Sequence, residues 1–495
     1  MNTRFDNNTA SLPVSRREFL GYTVAAGALS AMPKVIAQMK RRPERPNIIL
    51  LLGDDHRWDA LGCAGNSVIH TPELDRLAGQ GVMFRNHFAT TPICCASRAS
   101  IMTGQYAGTH GIYDFSTDLT ESQIRECYWM RLKEAGYNIG FVGKYGVGEH
   151  LPAAEFDYWK GFPGFGFYFP NGPSGDHLTN IQAEQANEFL KTAPRDKPFC
   201  LSVSFKAPHI QDEDPRLYLP SNETLSLYEN TEIPPPKGAP PGDIYRFPLA
   251  IQRSETRRRW GTSFSTPALY QASMKGYYRL VSGIDAAIGS IRKTLEAEGL
   301  ADNTIIIYSA DHGVFHNEHG FAEKWYGHEE SLRIPLILYD PRATASGRGQ
   351  RRETISLNID LAPTILELAG VKRGDSVQGR SLLPLLGRDE PEARRIFFFE
   401  HHLPYGGWIP SSDGIRTERW KYIRYTDTAA PFEELYDLAN DQHEIHNLAG
   451  QEGFRQQQHA LAEFMETWRD SLQQKTNRWT EPVGEAELKR HGLIL

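Results

Sequence analysis

Four short apolar runs, each followed at once by charged or imidazole residues, set the strongest limit on how this chain can fold. Asn47–Leu52 leads into Asp54-Asp55-His56-Arg57, and Ile139–Val142 into Gly143-Lys144. Phe199–Phe205 leads into Lys206-Ala-Pro-His209, and Ile305–Ser309 into Ala310-Asp311-His312-Gly313. Uninterrupted apolar runs of this kind suit strands buried on both faces, as in a parallel sheet covered by helices. Ligands of open α/β sheets bind just beyond the carboxyl ends of the strands, so four ends that all carry reactive side chains point to one shared site. Helical patterns lie between the runs. Thr71-Pro72-Glu73 has a capping residue, a first-turn proline and an early acid. Tyr277–Leu295 puts Leu280, Ile284, Ala287, Ile288 and Ile291 on one face, and Asp360–Leu368 reads as a shorter helix. The expected fold class is α/β, a large mostly parallel mixed sheet flanked by helices.

The texture changes after about residue 395. Arg394–Glu400 and Trp420–Tyr425 read as strands, Glu434–Leu438 as a turn or short strand, and Gln456–Gln473 as a helix. This predicts a small C-terminal α+β domain over residues 396–495, beside a catalytic domain over 45–395. Residues 211–261 break the pattern with a proline-rich stretch and Arg253, Arg257, Arg258 and Arg259. Such an insertion shapes access to a site; the arginines read equally well as a grip for further anionic groups and as a solvated helix face.

Lys and Arg total 54 against 61 Asp and Glu, a net charge of −7. That balance argues against a nucleic-acid partner, and any anion must be met by a local cluster of cations. Cys63, Cys94, Cys95, Cys127 and Cys200 are odd in number and lack zinc spacing, which excludes a disulfide scaffold. Buried free thiols are expected at Cys63, Cys127 and Cys200. Arg16-Arg17 precedes the apolar run Phe19–Ala31, which falls short of the ~20 residues that cross a bilayer. No membrane span is expected; residues 1–37 read as a twin-arginine signal peptide, with the periplasm or the exterior as destination.

The chemistry concentrates in Thr91-Pro-Ile-Cys94-Cys95-Ala-Ser-Arg98-Ala-Ser-Ile-Met-Thr103-Gly104. Small residues after Cys94 lead into a helix whose N-terminus carries positive potential, and Arg98 adds a full charge one turn on. Both favour an anionic nucleophile or a bound anion at Cys94. The segment resembles the sulfatase consensus, Cys-x-Pro-Ser-Arg followed by small residues and Thr-Gly, with Ala96 in place of the proline. The resemblance extends over nearly the whole chain beyond the signal. Asn47–Asp55 looks like the family's first strand with its metal-binding Asp pair, followed by the helix and turn of Thr71–Phe84. Ala310–Gly313 looks like its second metal motif. Gly327–Leu336 resembles the segment after the active-site lysine, here Lys324. Glu434–Leu438, with Glu444 and Asn447-Leu448, resembles the C-terminal motif.

This resemblance implies an alkaline-phosphatase-like fold and hydrolysis of a sulfate ester. Cys94 would be oxidised to formylglycine by a formylglycine-generating enzyme. Asp54, Asp55, residue 94, Asp311 and His312 would bind the metal. Hard oxygen ligands suit Ca²⁺, with Mg²⁺ as the alternative; His312 stands where many members have Asn. Arg98, Lys144, His209 and Lys324 would surround the sulfate. In the implied mechanism one hydroxyl of the hydrated aldehyde attacks sulfur, and His209 or Lys324 protonates the departing alcohol. The second hydroxyl then expels sulfate. The expected substrate is a sulfated carbohydrate or another small sulfate ester. One position departs from the family: Gly146 occupies the place of a histidine that assists sulfate expulsion, so either His150 or another histidine substitutes, or turnover uses a different base. Two other readings are a phosphodiesterase or phosphonate monoester hydrolase on the same scaffold, and a non-catalytic binder of sulfated glycans.

Overall fold

The computed structural model describes residues 45–344, 347–386, 393–403, 409–473 and 485–494. The twin-arginine segment, residues 1–37, lies outside them. No helix among the described residues is long and apolar enough to cross a membrane.

Eight strands form the main sheet: β1 (Asn47–Asp54), β2 (Val82–Phe84), β3 (Asn138–Lys144), β4 (Tyr158–Phe162), β5 (Phe199–Pro208), β6 (Thr304–Ala310), β7 (Leu336–Tyr339) and β8 (Gln350–Arg352). Their order is β8-β2-β7-β6-β1-β5-β3-β4. β1 is central and parallel to both β5 and β6, and β3 and β4 continue the parallel set. β7 runs antiparallel to β6 and β2, which makes the sheet mixed. Along β1, Ile48, Leu50 and Leu52 enter one hydrophobic cluster, while Ile49 and Leu51 enter another on the opposite face. That two-sided burial is why the run is apolar at every position. The four predicted strands are present and extend beyond their apolar cores to the charged residues. Between Leu52 and Asp54 the register with β5 slips, so Asp54 stands opposite Pro208. This irregularity brings the Lys206–His209 segment alongside Asp54.

Helices cover both faces. α1 (Pro72–Gln80) has Pro72 in its first turn, as expected. Thr71 occupies the N-cap position, but its hydroxyl accepts from Gly62 N–H and donates to Asp75. The free N–H groups of Glu73 and Leu74 donate instead to Asp285 of a distant helix, at 3.2 and 2.8 Å. α2 (Cys94–Thr103) is buried along its whole length. α3 (Leu178–Thr192) packs on α4 (Pro267–Ala297), which lies against β5. α4 contains the predicted Tyr277–Leu295 helix and starts ten residues earlier at Pro267, after the N-cap Thr266, whose hydroxyl accepts from Leu269 N–H. α5 (Leu361–Leu368) corresponds to the predicted Asp360–Leu368 helix.

The C-terminal sheet, β9 (Ile396–His401), β10 (Ser412–Thr417), β11 (Trp420–Tyr425) and β12 (Phe432–Asp437), is antiparallel throughout. The Glu434–Leu438 segment, read as a turn or short strand, is therefore mostly a full edge strand. α6 (Arg455–Gln473) closes the arrangement. The described residues form one compact unit, and the rings of Phe88 and Phe397 meet with centroids 4.9 Å apart. A buried charge network ties the C-terminal sheet to the short helix Glu329–Leu332 that follows Lys324: Glu329 pairs with Arg416 at 2.8 Å and Lys421 at 2.9 Å, and Lys421 also pairs with Glu444 at 2.7 Å. All five cysteines are free; Cys63 is only half-buried, unlike the other four, because its loop lies at the surface beside α1.

Candidate active site

The carboxyl ends of β1, β3, β5 and β6 converge on the first residue of α2. Ile93 is extended, and the helix begins with the Ser97 N–H bond to Ile93 C=O at 2.9 Å. No side chain caps this end, so the positive potential of the helix N-terminus falls on residue 94. Ala96, Ser97, Ala99 and Ser100 are small enough for the helix to sit in the core. Gly104, at φ +69°, supplies the left-handed turn that ends it. The approach to Cys94 is fixed by Asn358, whose Oδ1 accepts from Thr90 N–H and Oγ–H and whose Nδ2 donates to Ser97.

Around Cys94 Sγ lie Asp54 Oδ1 at 3.5 Å, His312 Nε2 at 3.3 Å and Lys324 Nζ at 3.7 Å. Ligand atoms of Asp54, Asp55, Cys94 and His312 all lie within 4.8 Å of one another, and all four residues are buried. Two carboxylates, one imidazole and the position 94 side chain suit a divalent cation. The contact of His312 Nδ1 with Gly313 C=O at 3.0 Å leaves Nε2 facing the cluster. Burial disfavours a charged ring there, but Asp311, Asp55 and Cys94 raise His312 to about 9, so the place attracts positive charge. Asp311 borders this group, with its Oδ1 3.8 Å from His312 Nε2. Its Oδ1 accepts from the N–H groups of Asp55 and His312, and its Oδ2 from Arg98 Nε at 3.0 Å.

The predicted cations are all present and buried. Lys144 Nζ donates to Asp54 Oδ2 at 2.5 Å, and Lys324 Nζ to both oxygens of Asp55 at 2.8 and 2.9 Å. Burial works against the Asp54 carboxylate, yet Lys144 and Arg98 hold its carboxyl well below the ordinary range. Arg98 Nη1 donates to Lys144 C=O and Ser204 Oγ, at 2.8 and 2.5 Å, and its Nη2 has no hydrogen-bond partner. Thus Arg98, Lys144 and Lys324 balance Asp54, Asp55 and Asp311. A divalent ion would leave the site net positive, which favours a bound anion. His209 Nδ1 contacts Ile210 C=O at 2.6 Å, and its Nε2 lies 3.7 Å from Asp55. Burial and the neighbouring Lys324 hold this imidazole well below its ordinary value, hence neutral.

One sequence alternative is corrected, and one of two open readings is favoured. His150 does not fill the place of the missing histidine. Its side chain is exposed and paired with Asp118 at 2.6 Å, because the turn at Gly148 carries it outward. Gly146 itself adopts φ +71°, and a Cβ there would lie 2.8 Å from Arg98 Cδ, so Arg98 occupies the space of a side chain. Gly146→His is therefore expected to lower both activity and stability, with about 1–2 kcal/mol lost from the left-handed backbone alone; thermal melts and initial rates check this. Of the arginines of the insertion, Arg257, Arg258 and Arg259 lie on a short helix, Glu255–Ser263, while Arg253 ends the helical turn before it. Arg258 and Arg259 pair with Glu255, Arg259 also reaches Asp212 at 2.7 Å, and Arg257 stacks on Trp260. Mostly occupied by protein partners, they form a structured helix face. Lys206 was not singled out as a site residue. It is buried, donates to Ile210 C=O at 3.1 Å, and is lowered to about 8 by burial and Lys144. Its position in the same strand-end run as His209 was the available signal.

Comparison with known proteins agrees with this constellation. The Sulfatase family model matches residues 46–371, and the model for the C-terminal part of N-sulphoglucosamine sulphohydrolase matches residues 317–471. The chain belongs to the sulfatase family, whose members are sulfuric ester hydrolases. It is 29% identical to an N-acetylglucosamine-6-O-sulfatase of Bacteroides thetaiotaomicron, over 86% of this chain and 87% of that protein. It is 28% identical to an ulvan-active sulfatase of Formosa agariphila, over 96% and 89% respectively. A solved complex with the substrate D-glucosamine-2-N,6-O-disulfate superposes with a TM-score of 0.74 and 28% identity, covering 87% of this chain and 99% of that one. The phosphonate monoester hydrolase of Agrobacterium radiobacter shares the fold, with a TM-score of 0.74 at 21% identity over 86% and 96% of the two chains.

Proposed function

We propose that the protein removes sulfate from a sulfated carbohydrate fragment, using a formylglycine formed from Cys94 and a Ca²⁺ or Mg²⁺ ion held by Asp54, Asp55, residue 94, Asp311 and His312. The observation that carries this reading is the convergence of those buried ligands with Arg98, Lys144 and Lys324 on the N-terminus of α2. The metal would supply Lewis acidity toward oxygen, and the hydrated aldehyde an oxygen nucleophile that a thiol lacks. The protein's own groups then set the geometry. Arg98 Nη2, which lies 3.4 Å from Asp54 Oδ1 without a hydrogen bond, and the ammonium groups of Lys144 and Lys324 hold the anionic sulfate where charge develops. Lys324 keeps its proton, since Asp55 overcomes the burial that disfavours it. His209 is neutral, so protonation of the departing alcohol falls to Lys324 unless His209 gains a proton with the substrate.

The sugar preference is supported by the names of the relatives and by the rim of the site. The loop between Pro163, which accepts from Gly146 N–H, and Tyr168, which donates to His209 C=O, leaves Phe165 and Phe167 more than half exposed. Exposed rings of this kind offer an apolar face to a sugar. The Arg16-Arg17 signal supports export by the twin-arginine route to the periplasm or beyond, with maturation by a formylglycine-generating enzyme.

The test is release of inorganic sulfate from sulfated mono- and disaccharides, run beside paired aryl sulfate and aryl phosphate esters. Faster phosphate than sulfate release would sink the reading. Chelation is expected to abolish turnover and lower the melting temperature, because the carboxylates lose their divalent counter-charge; Ca²⁺ or Mg²⁺ should restore both, as followed by calorimetry and rate assays.

A further inference from the structure

The C-terminal sheet directs one side chain toward the catalytic centre that none of the roles above uses. Along β9, Phe397, Phe399 and His401 share one face. Phe397 stacks on Phe88, and Phe399 fills the space left open at Gly327, three residues after Lys324. The opposite face carries Glu400, which accepts from Gly108 N–H and Tyr113 O–H. Glu400 N–H donates to Thr90 C=O at 3.0 Å, so the end of β9 is pinned to the segment that leads into Cys94. His401 thus projects on the side of Lys324 and His312. Burial and the charges of His402 and His312 hold its ring neutral, at about 3.

His401 is 1% exposed, and neither of its ring nitrogens has a hydrogen-bond partner. Thr91 Oγ1, three residues before Cys94, is likewise buried without a partner. A neutral imidazole offers one donor and one acceptor, and leaving such groups unmet in a protein interior costs about 1–3 kcal/mol each. An aromatic hydrocarbon would pack there at lower cost, so the ring calls for a polar partner. A sulfate group accepts only, and Arg98, Lys144 and Lys324 already face it. A sugar hydroxyl both donates and accepts, which matches the unmet pair.

We propose that His401 is a substrate-binding residue that hydrogen-bonds a hydroxyl of the sugar ring bearing the scissile sulfate, so that the C-terminal sheet completes the site and sets its selectivity for carbohydrate over aryl esters. This rests on the carbohydrate reading above. The experiment compares wild type, His401→Phe and His401→Gln on a sulfated glucosamine and on an aryl sulfate. His401→Phe should lose roughly 10- to 100-fold in kcat/KM on the sugar, the size of one or two buried hydrogen bonds and carried mainly by KM. It should stay within about threefold on the aryl ester, where that hydroxyl is absent. Its melting temperature should hold or rise, since two unmet polar atoms are removed, and His401→Gln should recover part of the sugar activity. Full sugar activity in His401→Phe would mean that the ring meets only water, and would overturn the inference. Equal losses on both esters, or a lowered melting temperature, would make the residue structural and overturn it too. A wild type that splits the aryl ester and no sulfated sugar would instead overturn the carbohydrate reading itself, and this inference with it.

Discussion

Protein carrying Cys94→Ala is expected to release no sulfate above background, whereas Cys95→Ala should keep most of the wild-type rate. The two thiols are adjacent in sequence and opposite in setting. Cys94 Sγ faces Asp54, His312 and Lys324 at the start of α2. Cys95 is fully buried among core residues, and burial, with the neighbouring Cys94, pushes its thiol up and makes it inert. Removing a covalent nucleophile costs on the order of 10⁶-fold in turnover. Removing one buried sulfur costs about 0.5–1.5 kcal/mol of stability, as for a comparable loss of one heavy atom. Rate assays with peptide mass spectrometry of the matured protein check both. Conversion of Cys95, or an inactive Cys95→Ala that still folds, would reverse the assignment.

A second large effect is expected far from sulfur chemistry. Lys421 is completely buried between Glu329 and Glu444, at 2.9 and 2.7 Å. Lys421→Ala leaves Glu444 without its cation and Glu329 with Arg416 and the more distant Arg333, and stability should fall by about 3–5 kcal/mol. Glu444 also accepts from Glu329 N–H at 2.7 Å, which anchors the segment after Lys324. Activity at temperatures below the melt should therefore fall as well, through displacement of Lys324. Combining Lys421→Met with Glu444→Gln should recover part of the stability, since charge and counter-charge leave together. Denaturant melts of the single and double variants measure this; an unchanged midpoint for Lys421→Ala would show that the pair contributes nothing.

Much of the site was legible because its signals are local. A strand buried on both faces must be apolar throughout, so β1, β3, β5 and β6 announced themselves, and the reactive residues followed at once. Cys94 and Arg98 are one helical turn apart, a spacing that holds wherever the helix lies. These features determined the α/β class, the edge that carries the site, and the grouping of Asp54, Asp55, Cys94, Lys144, His209 and His312. Only the tertiary structure decided what depends on partners distant in sequence. Asp285 from α4, not Thr71, caps α1. Asp311 spends its oxygens on Asp55, His312 and Arg98. Gly146 leaves room for Arg98, His150 turns outward to Asp118, and the arginines of the insertion find Glu255, Asp212 and Trp260. His401, some ninety residues beyond His312, reaches the same side of the protein through the alternation of an otherwise ordinary strand. The physical reason is that periodicity and short spacing report which face of an element is buried. Which polar group meets which is fixed by desolvation, since a buried charge or donor takes whatever partner the packed fold brings within reach.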